Sequence, residues 1–219
     1  MTILLTALFF ITGFLFVYPY VVYPPLVGYL ARRHPLTVKP TPPEADSELP
    51  SVTLIISAYN EEAVIGRKLD NALALDYPVD LLAVYVVSDA SDDATDAIVR
   101  DYGSRDGRVH LVRQEERLGK TSGLNLAMQS IDSEVVVFSD ANAMYAPKAI
   151  RQLVHPFADP VVGYVVGAAI YNENADNAAT ASEDLYWNME LTLKARESDF
   201  YSVVGGDGAI YAIRRELFW

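Results

Sequence analysis

The chain has 219 residues, with 17 Lys and Arg against 29 Asp and Glu, a formal net charge of −12 and no cysteine. That charge excludes general binding to nucleic acid, whose phosphate backbone needs basic surface, and the missing thiols exclude a disulfide scaffold and a thiolate zinc site. The length suits one α/β domain with an appendage.

The appendage comes first. From Ile3 to Tyr23 no side chain is charged, and the apolar character continues through Leu30, enough for the roughly 20 residues of a spanning helix. Residues 1–34 therefore read as a transmembrane anchor. A cleavable signal would show a basic start, a shorter apolar run and a small-x-small cleavage site, and none is present. Arg32, Arg33 and His34 follow the span and no basic residue precedes it, which predicts an inner or plasma membrane protein with everything after the span in the cytoplasm. Pro19, Pro24 and Pro25 predict a kink, or a second half lying along the interface. Residues 35–50, "PLTVKPTPPEADSELP", read as a semi-extended linker.

From residue 51 to 219 strands and helices alternate. "VTLIISA" (52–58) predicts a buried strand, and residues 62–75 carry Ile65, Leu69, Ala72 and Leu73 at helical spacing. "LAVYVVS" (82–88) is a second strand and "DDATDAIVRDY" (92–102) a helix with acidic residues in its first turn. "RVHLV" (108–112) is a short strand, 119–130 a helix, and "EVVVFS" (134–139) a strand again. A helix from Pro147 to about Phe157 precedes a strand over "VVGYVVGAAIY" (161–171). A long amphipathic helix over 178–198 carries Glu183, Tyr186, Trp187 and Glu190, whose aromatics suit either a sugar face or plain packing. The glycine-rich "VVGGDGAIYAIRREL" follows, and Trp219 falls just inside what looks like the start of another helix, so a longer parent protein is expected. This rhythm predicts an α/β fold with a mostly parallel, Rossmann-like sheet, helices on both faces, and ligands at the carboxyl ends of the strands.

Those strand ends carry oxygen. "SAYNEE" (57–62), "SDASDD" (88–93) and "SDAN" (139–142) close three of the strands. Caps and turns account for Asn60, Glu61, Asp92, Asp93 and Asp140 one at a time, yet they leave Asp89 over. As a set they suit a base, a ribose and a diphosphate. Asp89 is able to accept from a pyrimidine N–H, while Asp140 and Asn142 offer oxygens to Mg²⁺ or Mn²⁺, which would lend an acidic chain the charge an anionic ligand needs. "RLGKTSGLN" (117–125) adds Arg117 and Lys120 at a helix start.

The ordered set "VTLIISAYNEE", "VVSDASDDAT", "GKTSGLN", "VVFSDAN" and "GGDGAIYAIRREL" resembles the family 2 glycosyltransferases, with the nucleotide-binding fold called GT-A, over about residues 50–217. With the anchor, it is similar to the membrane-bound members that make poly-N-acetylglucosamine, hyaluronan and cellulose. The resemblance implies that Asp89 reads the uracil of a UDP-sugar, that Ala58, Tyr59, Asn60 and Glu61 line the nucleotide, and that Asp140-Ala141-Asn142 stands for Asp-x-Asp. It also puts Gly205, Gly206 and Asp207 on the side of a saccharide or lipid-linked acceptor. Three departures stand out. Ser88 replaces the first of two aspartates, and Asn142 offers the metal a neutral amide oxygen. The family's acidic base and its Gln-x-x-Arg-Trp segment would fall beyond Trp219, which leaves Asp207 as the one candidate base in the chain. Two rivals stay open: a nucleotidyltransferase, which a basic glycine-rich loop after the first strand would favour, and a membrane-tethered binding or scaffold protein with a decayed site.

Overall fold

The computed structural model describes residues 2–36, 49–168, 178–206 and 209–218. Strands β1 (Val52–Ala58), β2 (Leu82–Ser88), β3 (Val109–Arg113) and β4 (Val135–Asp140) run parallel, and β6 (Ile210–Arg214) joins β4 antiparallel with β5 (Tyr164–Val166) beyond it. The sheet order is β3-β2-β1-β4-β6-β5. Helices α3 (Ile65–Leu73), α4 (Thr95–Arg105), α5 (Lys120–Met128) and α6 (Ala149–Val154) make the crossovers. The expected mostly parallel sheet with helices on both faces is therefore what forms.

Strand alternation assigns the faces. Leu54, Ile56, Val84, Val86, Val135 and Val137 pack in one buried cluster with Ile65 and Leu69 of α3, Val99 of α4 and Ile150 of α6. Ile55, Val87, Val136 and Phe138 point the other way, into a cluster with Leu124 and Ala127 of α5. A strand covered on both faces needs apolar residues at every position, which is why "VTLIISA" and "VVVFS" show no polar alternation. Gly123 lets α5 approach the sheet, because a Cβ there would lie 2.5 Å from Cγ1 of Val87.

Three local readings change. The strand expected over 161–171 is confined to Tyr164–Val166, with 169–171 outside the described residues. "IYAIR", within the stretch read only as glycine-rich, forms β6. Its registry is held by packing as well as by the ladder, since Tyr211 stacks on Phe138 with ring centroids 4.7 Å apart. The helix expected to begin before Trp219 is a single 3-10 turn at Arg215–Leu217, because Phe218 turns extended at φ −85° and ψ 125° and stacks on Phe138 at 5.8 Å. Trp219 itself lies outside the described residues.

Contacts divide the chain into two compact units, residues 38–169 with 206–219, which contain the sheet, and residues 1–37 with 170–205. In the second unit α1 (Thr2–Val21) has a mean hydropathy of 2.0 and no buried side chain, long and apolar enough to cross a membrane. It continues through Pro19 and breaks at Val22, and α2 (Tyr23–Arg33) starts with Pro24 and Pro25 in its first turn, where a missing N–H costs no helical bond. Helix α2 packs on α7 (Ala178–Phe200): Tyr23 donates its hydroxyl to Glu197 Oε1 at 2.8 Å, and Arg196 Nη1 donates to the Pro24 carbonyl at 3.4 Å.

Candidate functional site

Strand β1 sits between β2 and β4, so the chain leaves its carboxyl end toward one neighbour and later returns on the other side. Open α/β sheets have their crevice at that reversal. Ala58 is level with Ser88 and Ser57 with Asp140, so the ends of three strands open together. The cleft there has a volume of about 300 Å³ and is lined by Ser57, Ala58, Tyr59, Glu61, Val87, Asp89, Gln114, Lys120, Asp140, Ala141 and Asn142.

Of the residues expected to hold the nucleotide, Asn60 is missing from that lining, as is Arg117 from the stretch before α5. The Asn60 backbone is left-handed, with φ of 55°, a conformation that asparagine tolerates. Its side chain clamps two loops: Nδ2 donates to Asp92 Oδ1 at 2.6 Å, and Oδ1 accepts from the Asp92 N–H at 3.0 Å. The Asn60 N–H donates to Ser91 Oγ, Glu61 N–H to Thr95 Oγ1 and Glu62 N–H to Asp93 Oδ2. Asn60 therefore shapes the cleft from behind. Tyr59 enters it, and Arg117 covers that ring, with its guanidinium carbon 3.8 Å from the centroid.

Asp89 is held by protein donors. Its Oδ1 accepts from Gln114 Nε2 at 2.6 Å, from Leu118 N–H at 2.9 Å and from Gly119 N–H at 3.1 Å, and Oδ2 accepts from Gly119 N–H at 3.1 Å. Gly119 has φ of 88° and ψ of 164°, a combination open almost only to glycine. This glycine lets the loop turn its amides onto the carboxylate just before α5 begins. Gln114, 3% exposed, also donates to the Gly119 carbonyl at 3.2 Å. Sequence pattern did not single out Gln114; its place directly after β3, level with the other strand ends, was the available signal.

Asp140 is held differently. Its Oδ1 meets Lys120 Nζ at 2.6 Å, and both side chains are about two-fifths exposed, at 42% and 43%. Asn142 stands beside it in the lining. A second lysine lies behind. Lys68 of α3 is wholly buried, donates from Nζ to the Ala143 carbonyl, and lies 3.6 Å from the Tyr145 ring centroid. Burial pushes its pKa down to about 7, with the Asp140 carboxylate opposing the shift. The sequence held a trace of this residue, because Lys68 falls on the apolar stripe of Ile65, Leu69 and Ala72.

Among the described residues no three His, Cys, Asp or Glu side chains gather as a complete metal site. One carboxylate and one amide oxygen are still a hard donor pair, suited to Mg²⁺ or Mn²⁺ when phosphates and water fill the other positions. The Lys120 ammonium on Asp140 marks the same place as one that attracts positive charge. Elsewhere, Gly206 approaches Tyr164 so closely that a Cβ would lie 1.8 Å from the hydroxyl. Gly205 is described, while Asp207, the candidate base, lies outside the described residues, as does Trp219, beyond which the resemblance puts the family's own base. The side chains of Glu183, Tyr186 and Trp187 are likewise outside them, and Glu190 pairs with Lys194 at 2.7 Å.

Residues 53–219 match the family described as Glycosyl transferase family 2. The chain belongs to glycosyl transferase family 2. Among its relatives is a beta-monoglucosyldiacylglycerol synthase of Synechocystis, 32% identical over 197 residues, which span 84% of this chain and 40% of that protein. An N-acetylglucosaminyltransferase of Rhizobium meliloti is 27% identical, with 87% of this chain and 43% of that one covered. A mannosyltransferase of Pyrobaculum calidifontis, solved with GDP-mannose and Mn²⁺, superposes with a TM-score of 0.73 at 31% identity, covering 92% of this chain and 55% of its own. This family 2 chain thus spans less than half the length of these curated relatives. The family and the GT-A fold expected from the motifs both stand.

Proposed function

We propose that the chain is the donor-binding part of an inverting glycosyltransferase, which moves a sugar from a nucleoside diphosphate sugar to a saccharide or lipid-linked hydroxyl at a membrane. The observation that carries this is the opening of Asp89 and Asp140, from two different strand ends, into one cleft that Lys120 also lines. Asp89 Oδ2 accepts from Gly119 alone among the described residues, so it has capacity for one base N–H, which uracil and guanine both present. Uracil follows the family resemblance, and the Pyrobaculum relative was solved with GDP-mannose. Tyr59 offers its ring to the base.

Asp140 and Asn142 would hold Mg²⁺ or Mn²⁺, whose chemistry when bound is to neutralise diphosphate oxygens. Lys120 leaves Asp140 for the diphosphate and stabilises the negative charge that grows on it as the sugar departs. Gly205, Gly206 and Asp207 belong to the acceptor side. Helix α1, long and apolar enough to cross a membrane, would anchor the protein, and the basic residues after it support a cytoplasmic cleft. The Synechocystis relative's name supports a lipid acceptor. A nucleotidyltransferase is disfavoured because the amides of Glu61 and Glu62 are already taken by Thr95 and Asp93, leaving no phosphate cradle there after β1.

Calorimetric titration of the full chain in detergent with UDP and with GDP, each with Mn²⁺ and with EDTA, tests the proposal. Saturable binding of one of them, strengthened at least tenfold by Mn²⁺, is expected. Binding of neither would overturn it in favour of a non-catalytic tether.

A further inference from the structure

Burying an amine costs several kcal/mol unless its protons find partners, and a methionine would fill the space of Lys68 without that cost. Lys68 is 0% exposed and is absent from the cleft lining. Its partners explain why it is there. The Ala143 carbonyl accepts its Nζ, while the Ala143 N–H donates back to the Asp140 carbonyl at 3.3 Å. Lys68 therefore grips the turn 140–143 whose first and third residues are Asp140 and Asn142. One helical turn later on the same face of α3, Asn71 holds the next stretch from both sides. Its Nδ2 donates to the Tyr145 carbonyl at 2.9 Å, and its Oδ1 accepts from the Tyr145 N–H at 2.8 Å. The Tyr145 ring, stacked on the Lys68 ammonium, donates its hydroxyl to the Ala209 carbonyl at 3.0 Å.

We infer that Lys68 and Asn71 are positioning residues, fixing the loop after β4 so that Asp140 and Asn142 face a divalent ion and a diphosphate together. Neither touches the ligand. The two lysines near Asp140 arrive from opposite faces of the sheet, Lys120 on α5 and Lys68 on α3, and divide the work: Lys120 meets solvent and can exchange partners, while Lys68 is locked in the core. The inference rests on the proposed metal and diphosphate site, and its test separates the two.

Lys68→Met keeps the side chain's length and apolar stem, and Asn71→Ala removes the second grip without touching the buried amine. Both are titrated as the full chain in detergent with Mn²⁺ plus UDP or GDP, and separately by NMR with uridine or guanosine in EDTA, which probe the Asp89 end alone. Each variant is expected to lose at least tenfold in affinity for the metal-loaded diphosphate and to bind the nucleoside within twofold of wild type. Wild-type affinity for the diphosphate in both variants would overturn the inference and leave the site intact. Equal losses for nucleoside and diphosphate would also overturn it, since general loosening of the fold would then be the cause. A wild-type protein that binds no metal-loaded diphosphate removes the site itself. If Lys68→Met does not fold by circular dichroism, Asn71→Ala decides.

Discussion

The two ends of the cleft each carry an aspartate, and the protein treats them in opposite ways. Asp89 is fixed from its own chain through Oδ1, by a buried glutamine and two backbone amides arranged through one glycine, with Oδ2 left room for one more donor. Asp140 is partly in solvent and holds a single exposed ammonium. A carboxylate fixed by backbone donors keeps its orientation whatever is bound, which suits reading the shape of a base. A carboxylate on an exposed, exchangeable ion pair suits trading one cation for another, since such pairs contribute little to stability.

Breaking the fixed end should have the largest effect. Asp89→Ala strands Gln114 and two amides, and is expected to cost about 2–4 kcal/mol of stability in urea unfolding while weakening nucleoside and diphosphate equally. Asp140→Ala should show the converse, a loss on the order of 100-fold in Mn²⁺-dependent diphosphate affinity with stability changed by less than about 1 kcal/mol. If both variants lose stability alike, the contrast between the ends is wrong. Gly119→Ala meets no atom within 4 Å of the new Cβ, so its expected cost of about 2 kcal/mol is backbone strain alone, and nucleoside binding should fall with it because the amides on Asp89 turn away.

The smallest expected effect sharpens the picture at the Asp140 end, through the buried lysine behind it. Lys68 is depressed from 10.5 to about 7 in the fold, so below pH 7 the folded state carries the full penalty of a buried ammonium. Between pH 7 and 10.5 the unfolded chain binds more protons than the folded one, and stability rises with pH. Wild type is therefore expected to gain on Lys68→Met in urea midpoint from pH 6 to pH 9.

The parallel core and the strand ends were readable because a doubly covered strand writes a continuous apolar run, and "VTLIISA", "LAVYVVS" and "VVVFSD" are that run followed by polar residues. Asp89, Asp140 and Asn142 came from the same signal, and Lys120 from the glycine-led helix start at "RLGKTSGLN". Asn60 was not separable from its neighbours, since only the approach of the Ser91–Thr95 loop shows that its side chain is spent on Asp92. "AIYAIR" was hidden by the glycines before it, and the stacking of Tyr211 and Phe218 on Phe138 joins residues more than 70 positions apart in the chain. The same stacking explains why a helix read from the last residues before Trp219 stops at one turn.

What the sequence by itself determined is the parallel core elements, a first helix apolar enough to cross a membrane and the chemical kinds of side chain at the strand ends, because periodicity and capping are local properties. What only the tertiary structure decided is how those side chains divide the work. The 114–119 loop must close over β2 before Asp89 is a fixed acceptor. Likewise, α3 must pack beneath β4 before a lysine on its apolar stripe becomes the clamp of the turn at Asp140. The energy of a buried charge depends on which groups surround it, and those groups come from distant parts of the chain.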